Sequence, residues 1–123
     1  MTRHNKDIGQ KGEMEAISYL HKKGYRVVGQ NYHTHWGEID IIAEKDKKLS
    51  FIEVKSRVGE SYGKPYEAVN FIKINKLRRP VQFFLLKNEY KNYKLSLDVI
   101  SIVFTEDLSV KNLKYFENVA SYQ

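Results

Sequence analysis

Asp40, Glu53 and Lys55 form the pattern Asp-x12-Glu-x-Lys near the middle of the chain. Two carboxylates in this order suit the binding of a hard divalent cation. Carboxylates hold a hard divalent cation that keeps waters for exchange with phosphate oxygens. A compact ammonium beside them is a positive hydrogen-bond donor. Glu53 and Lys55 lie two apart, so in a strand they share a face, with Ile52 and Val54 on the other. The segments Glu38–Glu44 and Leu49–Arg57 are rich in β-branched or aromatic residues. The polar run Lys45-Asp46-Lys47-Lys48 between them predicts a hairpin. With Asp46-Lys47 as a two-residue turn, Asp40 faces Glu53 and Glu38 faces Lys55. Opposed Cβ atoms lie about 5 Å apart. Two carboxylates that close repel unless a cation or a proton sits between them. Asp-Lys is not a preferred turn pair, so the register rests on loop length. A plainer reading is a salt-bridge ladder across a solvated hairpin, with Glu38 and Lys55 as further rungs.

A third acid comes from the first helix, read over Lys6 to Lys23 with Asn5 as N-cap and Gly24 as the C-terminal stop. Glu13 falls on the face shared by Gly9, Ala16, Ile17 and Leu20. A carboxylate there is costly unless it is paired, coordinated or reaches the edge. Gly9 and Gly12 each cost about 1 kcal/mol relative to alanine, which predicts close approach to a sheet. Tyr25–Thr34 reads as a first strand, Leu95–Phe104 as a fourth, and 110–116 as a short fifth. Ser56–Lys64, with Gly59 and Gly63, reads as a loop. A helix is predicted from Tyr66 to Asn88, buried through Leu77, Val81, Phe84 and Leu85. Pro80 should kink it or divide it in two.

The 123 residues carry 21 Lys and Arg against 15 Asp and Glu, a net charge of +6. Residues 64–91 concentrate the excess, with seven basic and two acidic side chains. Lys73, Lys76 and Arg79 recur at helical spacing within it. A solvated helix face is the simple explanation; a track for a phosphate backbone, joined by Lys64 and Arg57, is the functional one. There is no cysteine, which excludes a disulfide scaffold, a thiol nucleophile and a Cys-based zinc site. No Ser/His/Asp grouping and no phosphate-binding Gly-x-x-x-x-Gly-Lys loop offers competing chemistry. His33 and His35 lack a third ligand nearby, so a surface pair is the simpler reading. With Trp36, Tyr62 and Tyr66 they could instead meet bases or phosphates at the rim of a site. No apolar run approaches the roughly 20 residues of a membrane span, and no signal peptide is visible. A cytoplasmic protein with no membrane partner is expected.

Several blocks occur in order: Gly9-x-x-Gly12-Glu13-x-x-Ala16, Asn31-Tyr32, Gly37-Glu38-Ile39-Asp40-Ile41-Ile42 and Phe51-Ile52-Glu53-Val54-Lys55-Ser56-Arg57. Gly63, Ala68-Val69, Lys73 and Leu97-Asp98-Val99 follow. This order resembles the YraN-like family of small bacterial proteins, which are similar to archaeal Holliday-junction resolvases and to the PD-(D/E)XK nuclease fold. The resemblance implies that Asp40, Glu53 and the Val54 carbonyl bind Mg²⁺ or Mn²⁺. It implies that Lys55 positions the attacking water and that Glu13 completes the site through a metal-bound water. Pro80 and Ser96-Leu97-Asp98 depart from the family pattern, which questions local helix geometry and one phosphate contact.

The expected architecture is one αβββαβ domain of the α/β class, restriction-endonuclease-like, with a mixed central sheet flanked by helices. Its core spans about 5–104, with an extension over 105–123. A right-handed helical crossover should make the third and fourth strands parallel. The expected function is a metal-dependent endonuclease acting on nucleic acid, DNA in preference, with a homodimer as an option. The alternatives are a nucleic-acid-binding or adaptor module that does not cut, and a partner-binding structural protein.

Overall fold

The computed structural model describes residues 3–59 and 74–120, with side chains from Asp7 onward. The elements are α1 (Arg3–Lys22), β1 (Arg26–Thr34), β2 (Gly37–Lys45), β3 (Lys48–Val58), α2 (Arg78–Lys87), β4 (Lys94–Phe104) and β5 (Val110–Ala120). The strands form one sheet in the order β1-β2-β3-β4-β5. β3 and β4 run parallel, as expected, and the other neighbours are antiparallel. The result is the α/β mixed sheet read from the sequence, compatible with a small nuclease-like domain. No described helix is long and apolar enough to cross a membrane.

Each sheet face buries its own core. On one side α1 lays Ile8, Ala16 and Leu20 against Ile41, Ile52, Ile100, Ile102 and Phe104. On the other, Ile74, Leu77 and the α2 residues Val81 and Phe84 cover Ile42, Leu49, Phe51, Leu97 and Val99. The central strands are buried on both faces, which is why they read as nearly continuous apolar runs.

α1 begins at Arg3, so Asn5 lies inside the helix and not at its cap. Its end follows the expectation. Gly24 has φ 88. Tyr25 N donates to Leu20 O at 2.9 Å and Gly24 N to His21 O at 3.1 Å, a Schellman closure. Of the two helical glycines, only Gly12 meets the sheet. A Cβ on Gly12 would stand 1.7 Å from Ser56 Oγ, whereas one on Gly9 would have nothing within 4 Å.

The hairpin register is the one that a two-residue turn dictates, from Lys45↔Lys48 to Ile41↔Ile52. Asp46 and Lys47 take φ 51 and 62, the left-handed pair of a type I′ turn.

The helix expected over 66–88 is divided. Its first part, residues 66–73, lies outside the described residues. Ile74–Asn75 are helical, residues 76–77 form a turn, and α2 follows. Pro80 therefore sits in the first turn of α2, where a missing N–H costs little. The break falls upstream because a continuous helix would drive the Pro80 ring into the Lys76 carbonyl, four residues back. This also separates Lys76 from Arg79, so the basic spacing does not lie on one unbroken helix.

β5 runs to Ala120, beyond the expected 110–116. Its register against β4 shifts between Leu97 and Val99. The fully buried Asp98 accounts for the shift. It accepts hydrogen bonds from Ser96 Oγ, Tyr115 OH and, at 2.9 Å, the Asn118 amide. Burial, then the Asp98 charge, raises the Tyr115 hydroxyl far above its usual range.

Candidate active site

Apart from the β1–β2 register shift between Val27 and Gly29, pairing around β2 lapses at the level of Asp40. β1 pairs with β2 at Gln30↔Ile41 and at Tyr32↔Ile39, but not at Asn31 and Asp40 between them. β2 pairs with β3 as far as Ile41↔Ile52 and no further. Asn31 has φ 47, a left-handed conformation that asparagine tolerates better than most residues. Ile39 packs into the α2-side core and Ile41 into the α1-side core. Strict alternation would put both on one face. The strand therefore rolls over at Asp40, as bulged strands do where a side chain is re-aimed. Continued pairing would aim the Val54 amide at the Ile39 carbonyl. It donates instead to Asp40 Oδ2 at 2.8 Å.

Four acids gather around this interruption. Burial pushes the Asp40 carboxyl up to about 6 against the lowering effect of the Val54 bond, and the charges of Glu13, Glu53 and Glu38 push it the same way. Three acids are thus among the influences on Asp40. Burial also raises Glu13, with Glu38 adding to it, while a hydrogen bond with Asn31 opposes. α1 can bring Glu13 here because Gly12, its neighbour, lets the helix backbone rest on Ser56 and Val54 of β3.

Lys55 Nζ lies 3.5 Å from Glu53 Oε1, with both side chains only partly exposed. Expected to face Lys55, Glu38 instead has His33 Nδ1 at 3.6 Å across β1. The pairing that would have opposed Glu38 to Lys55 stops short of them. Arg57 follows Lys55 two residues on in β3 and is half-buried. Lys76 and Arg79 lie on the α2 side, both exposed. Lys64, Lys73, Tyr62 and Tyr66 lie outside the described residues.

Among the described residues, no three acidic or imidazole side chains form a ready-made cation cage. Magnesium does not require one, since one or two carboxylates, waters and phosphate oxygens complete its octahedron. Asp40 and Glu53, with their mutual repulsion, fit that donor set. The sequence reading missed Asn31 as a positioning residue. The available signal was an asparagine inside a strand pattern, a residue type suited to a left-handed break.

Comparison with known proteins matches residues 12–102 to the model of the uncharacterised protein family UPF0102. A UPF0102 protein of Desulforamulus reducens is 42% identical over 120 residues, covering 96% of this chain and 98% of its own length. One from Clostridium acetobutylicum is 38% identical over 118 residues, covering 96% and 97%. A third, from Clostridium tetani, is 40% identical over 117 residues, covering 93% and 96%. The chain belongs to the UPF0102 family. This is the YraN-like family that the sequence blocks resemble. The matched UPF0102 span takes in Glu13, Asp40, Glu53 and Lys55 and ends within β4, so β5 lies beyond it.

Proposed function

We propose that this UPF0102 protein is a metal-dependent endonuclease that hydrolyses phosphodiester bonds in nucleic acid. The observation that carries the reading is the Asp40 carboxyl, half-buried at the break in pairing and raised by burial and by the charges of Glu13, Glu53 and Glu38. A partly buried carboxylate among other acids is a cost to the fold unless a cation or protons neutralise it. Mutually repelling carboxylates of this kind concentrate at functional sites.

Asp40, Glu53 and the Val54 carbonyl would hold Mg²⁺ or Mn²⁺, with Glu13 acting through a water. The ion supplies a water of lowered pKa and neutralises charge on the phosphate. The Val54 amide holds Asp40 Oδ2. Lys55, tethered by Glu53, presents its ammonium as a donor to the water or to a phosphate oxygen. The basic side chains Arg57, Lys76 and Arg79, with Lys64 and Lys73, would bear on the phosphate backbone and make binding salt-dependent.

Branched, nicked and single-stranded DNA, and their RNA counterparts, incubated with Mg²⁺ or Mn²⁺ should be cut by the wild type and not by Asp40→Ala. Equal activity in both proteins, or none in either, rejects the reading. A second reading, a binding module that does not cut, draws on the lack of a preformed three-ligand cage among the described residues. It predicts salt-dependent DNA binding without Mn²⁺ affinity that depends on Asp40 and Glu53.

A further inference from the structure

A shallow cavity of about 320 Å³ opens between the β1–β2 turn and α2, lined by Trp36, Arg79, Gln82, Phe83 and Leu86. That is the small end of the range for organic ligands, the scale of one ring system. We infer that this cavity receives an unpaired nucleobase of the strand whose phosphates run to the Asp40 acids. The inference rests on the nucleic-acid reading of the site and adds the substrate feature it selects, an unstacked base near the cut.

The lining is an aromatic and cationic platform. Trp36 is 47% exposed and Leu86 is 86% exposed, both unusual for large apolar side chains. The Trp36 and Phe83 rings stand 6.0 Å apart at 54°, a tilted pair that forms one aromatic surface. Lys87 Nζ sits 5.1 Å from the centre of the Phe83 ring, and Arg79 lines the cavity wall. No acid is among the described residues that line the cavity. Gln82 adds an amide that can meet a base edge. A flat π-system with a phosphate attached matches this set: the rings stack on it, and the cations meet its charge. A purely apolar partner would leave Arg79 and Gln82 without counterparts.

The platform is held in place. Thr34 Oγ1 accepts from the Trp36 amide at 3.1 Å and donates to Gly37 O at 2.8 Å. Gly37, at φ 141, lies against Pro80 and the Lys76 carbonyl at the start of α2. The same turn leads into β2 and reaches Asp40 four residues after Trp36. At about 3.3 Å per strand residue that is about 13 Å. The separation amounts to a few nucleotides at the roughly 3.4 Å rise of a duplex strand. A strand crossing the acids would place a nearby base at Trp36.

Trp36 is the one tryptophan in the chain, so its fluorescence reports on this cavity alone. The full chain, metal-free in EDTA at low salt, is titrated with a single-stranded DNA 12-mer, an abasic strand of equal length and a blunt duplex. Labelled-strand anisotropy gives affinity in parallel. The base-bearing strand should quench Trp36 saturably and bind roughly tenfold tighter than the abasic strand, the scale of one stacking contact. Neither the abasic strand nor the duplex should quench. Phe83→Leu should remove the tenfold advantage and leave abasic binding within about twofold, with thermal melting showing that it folds. Trp36→Leu, read by anisotropy, should do the same. Equal binding of base-bearing and abasic strands without quenching overturns the inference but leaves the nuclease reading standing. Quenching by the duplex removes the unpaired-base requirement and overturns it too. Emission that changes with protein concentration alone means a second copy covers the cavity, and the inference falls. Failure of every strand to bind rejects both readings. Quenching without metal-dependent cleavage upholds the cavity and rejects the nuclease.

Discussion

The Val54 amide donates a 2.8 Å hydrogen bond to Asp40 Oδ2, across the point where β2 and β3 stop pairing. A backbone donor that would have extended the sheet is given over to holding a carboxylate. That carboxylate is raised to about 6 by burial and by neighbouring acids, so the fold bears a cost for it whenever it is charged.

The cost has a defined pH window. The Asp40 proton binds more tightly in the folded chain, at about 6, than at its ordinary 3.8. The stability this contributes is complete below the lower value and is lost as pH rises through the upper one. Asp40→Asn keeps an acceptor for the Val54 amide and removes the charge. In metal-free urea unfolding it should gain about 1–3 kcal/mol at pH 7.5 and almost nothing at pH 4. The same gain at both pH values, or none at pH 7.5, contradicts the burial of an uncompensated charge. Cleavage should be lost in the same variant.

The two glycines of α1 should respond in opposite directions. Gly9→Ala enters open space and should stabilise by up to about 1 kcal/mol through helix propensity. Gly12→Ala drives a methyl into Ser56 and should destabilise by about 1–3 kcal/mol. It should also weaken cleavage, because α1 would lift Glu13 away from Asp40. Ser56→Gly in the same chain should recover most of the stability. Matched melting curves for Gly9→Ala and Gly12→Ala rule out the close approach.

Asp98 anchors β5 through Tyr115 OH and the Asn118 amide, and also accepts from Ser96 in its own strand. Asp98→Ala strands those donors in the core and should cost about 3 kcal/mol. Tyr115→Phe removes a single bond and should cost about 1 kcal/mol. Hydrogen exchange should show the loss of protection concentrated in β5. Uniform loss across the sheet, or a Tyr115→Phe effect equal to that of Asp98→Ala, argues against the anchor.

Asp46 and Lys47 hold left-handed conformations with side chains that disfavour them. The double substitution Asp46→Asn with Lys47→Gly supplies the asparagine-glycine pair that type I′ turns prefer. A gain of about 1 kcal/mol in chemical denaturation is expected, with activity unchanged. Destabilisation would mean that the turn is held by contacts the native pair itself provides.

The chain order alone determined the strands, the first helix, the parallel β3–β4 pair and the hairpin register as far as Ile41↔Ile52. Each is a short-range property: alternation and helical spacing are read within one segment, a two-residue loop fixes which residues face, and a long connection makes neighbouring strands parallel. The four candidate residues were also legible, because Glu13, Asp40, Glu53 and Lys55 carry their chemistry in their side-chain types. Only the tertiary structure decided how they meet. The roll of β2 at Asp40 depends on Asn31 in another strand and on which core takes Ile39. The helix break at 76–77 depends on Pro80 being buried in the first turn of α2 rather than placed mid-helix. Gly12 rather than Gly9 carries the contact because Ser56, distant in sequence, lies beneath it. Asp98 reads as an ordinary strand residue until Tyr115 and Asn118 arrive from β5. In each case the deciding partner is far along the chain, and a local pattern holds no record of burial or of hydrogen bonds made across it.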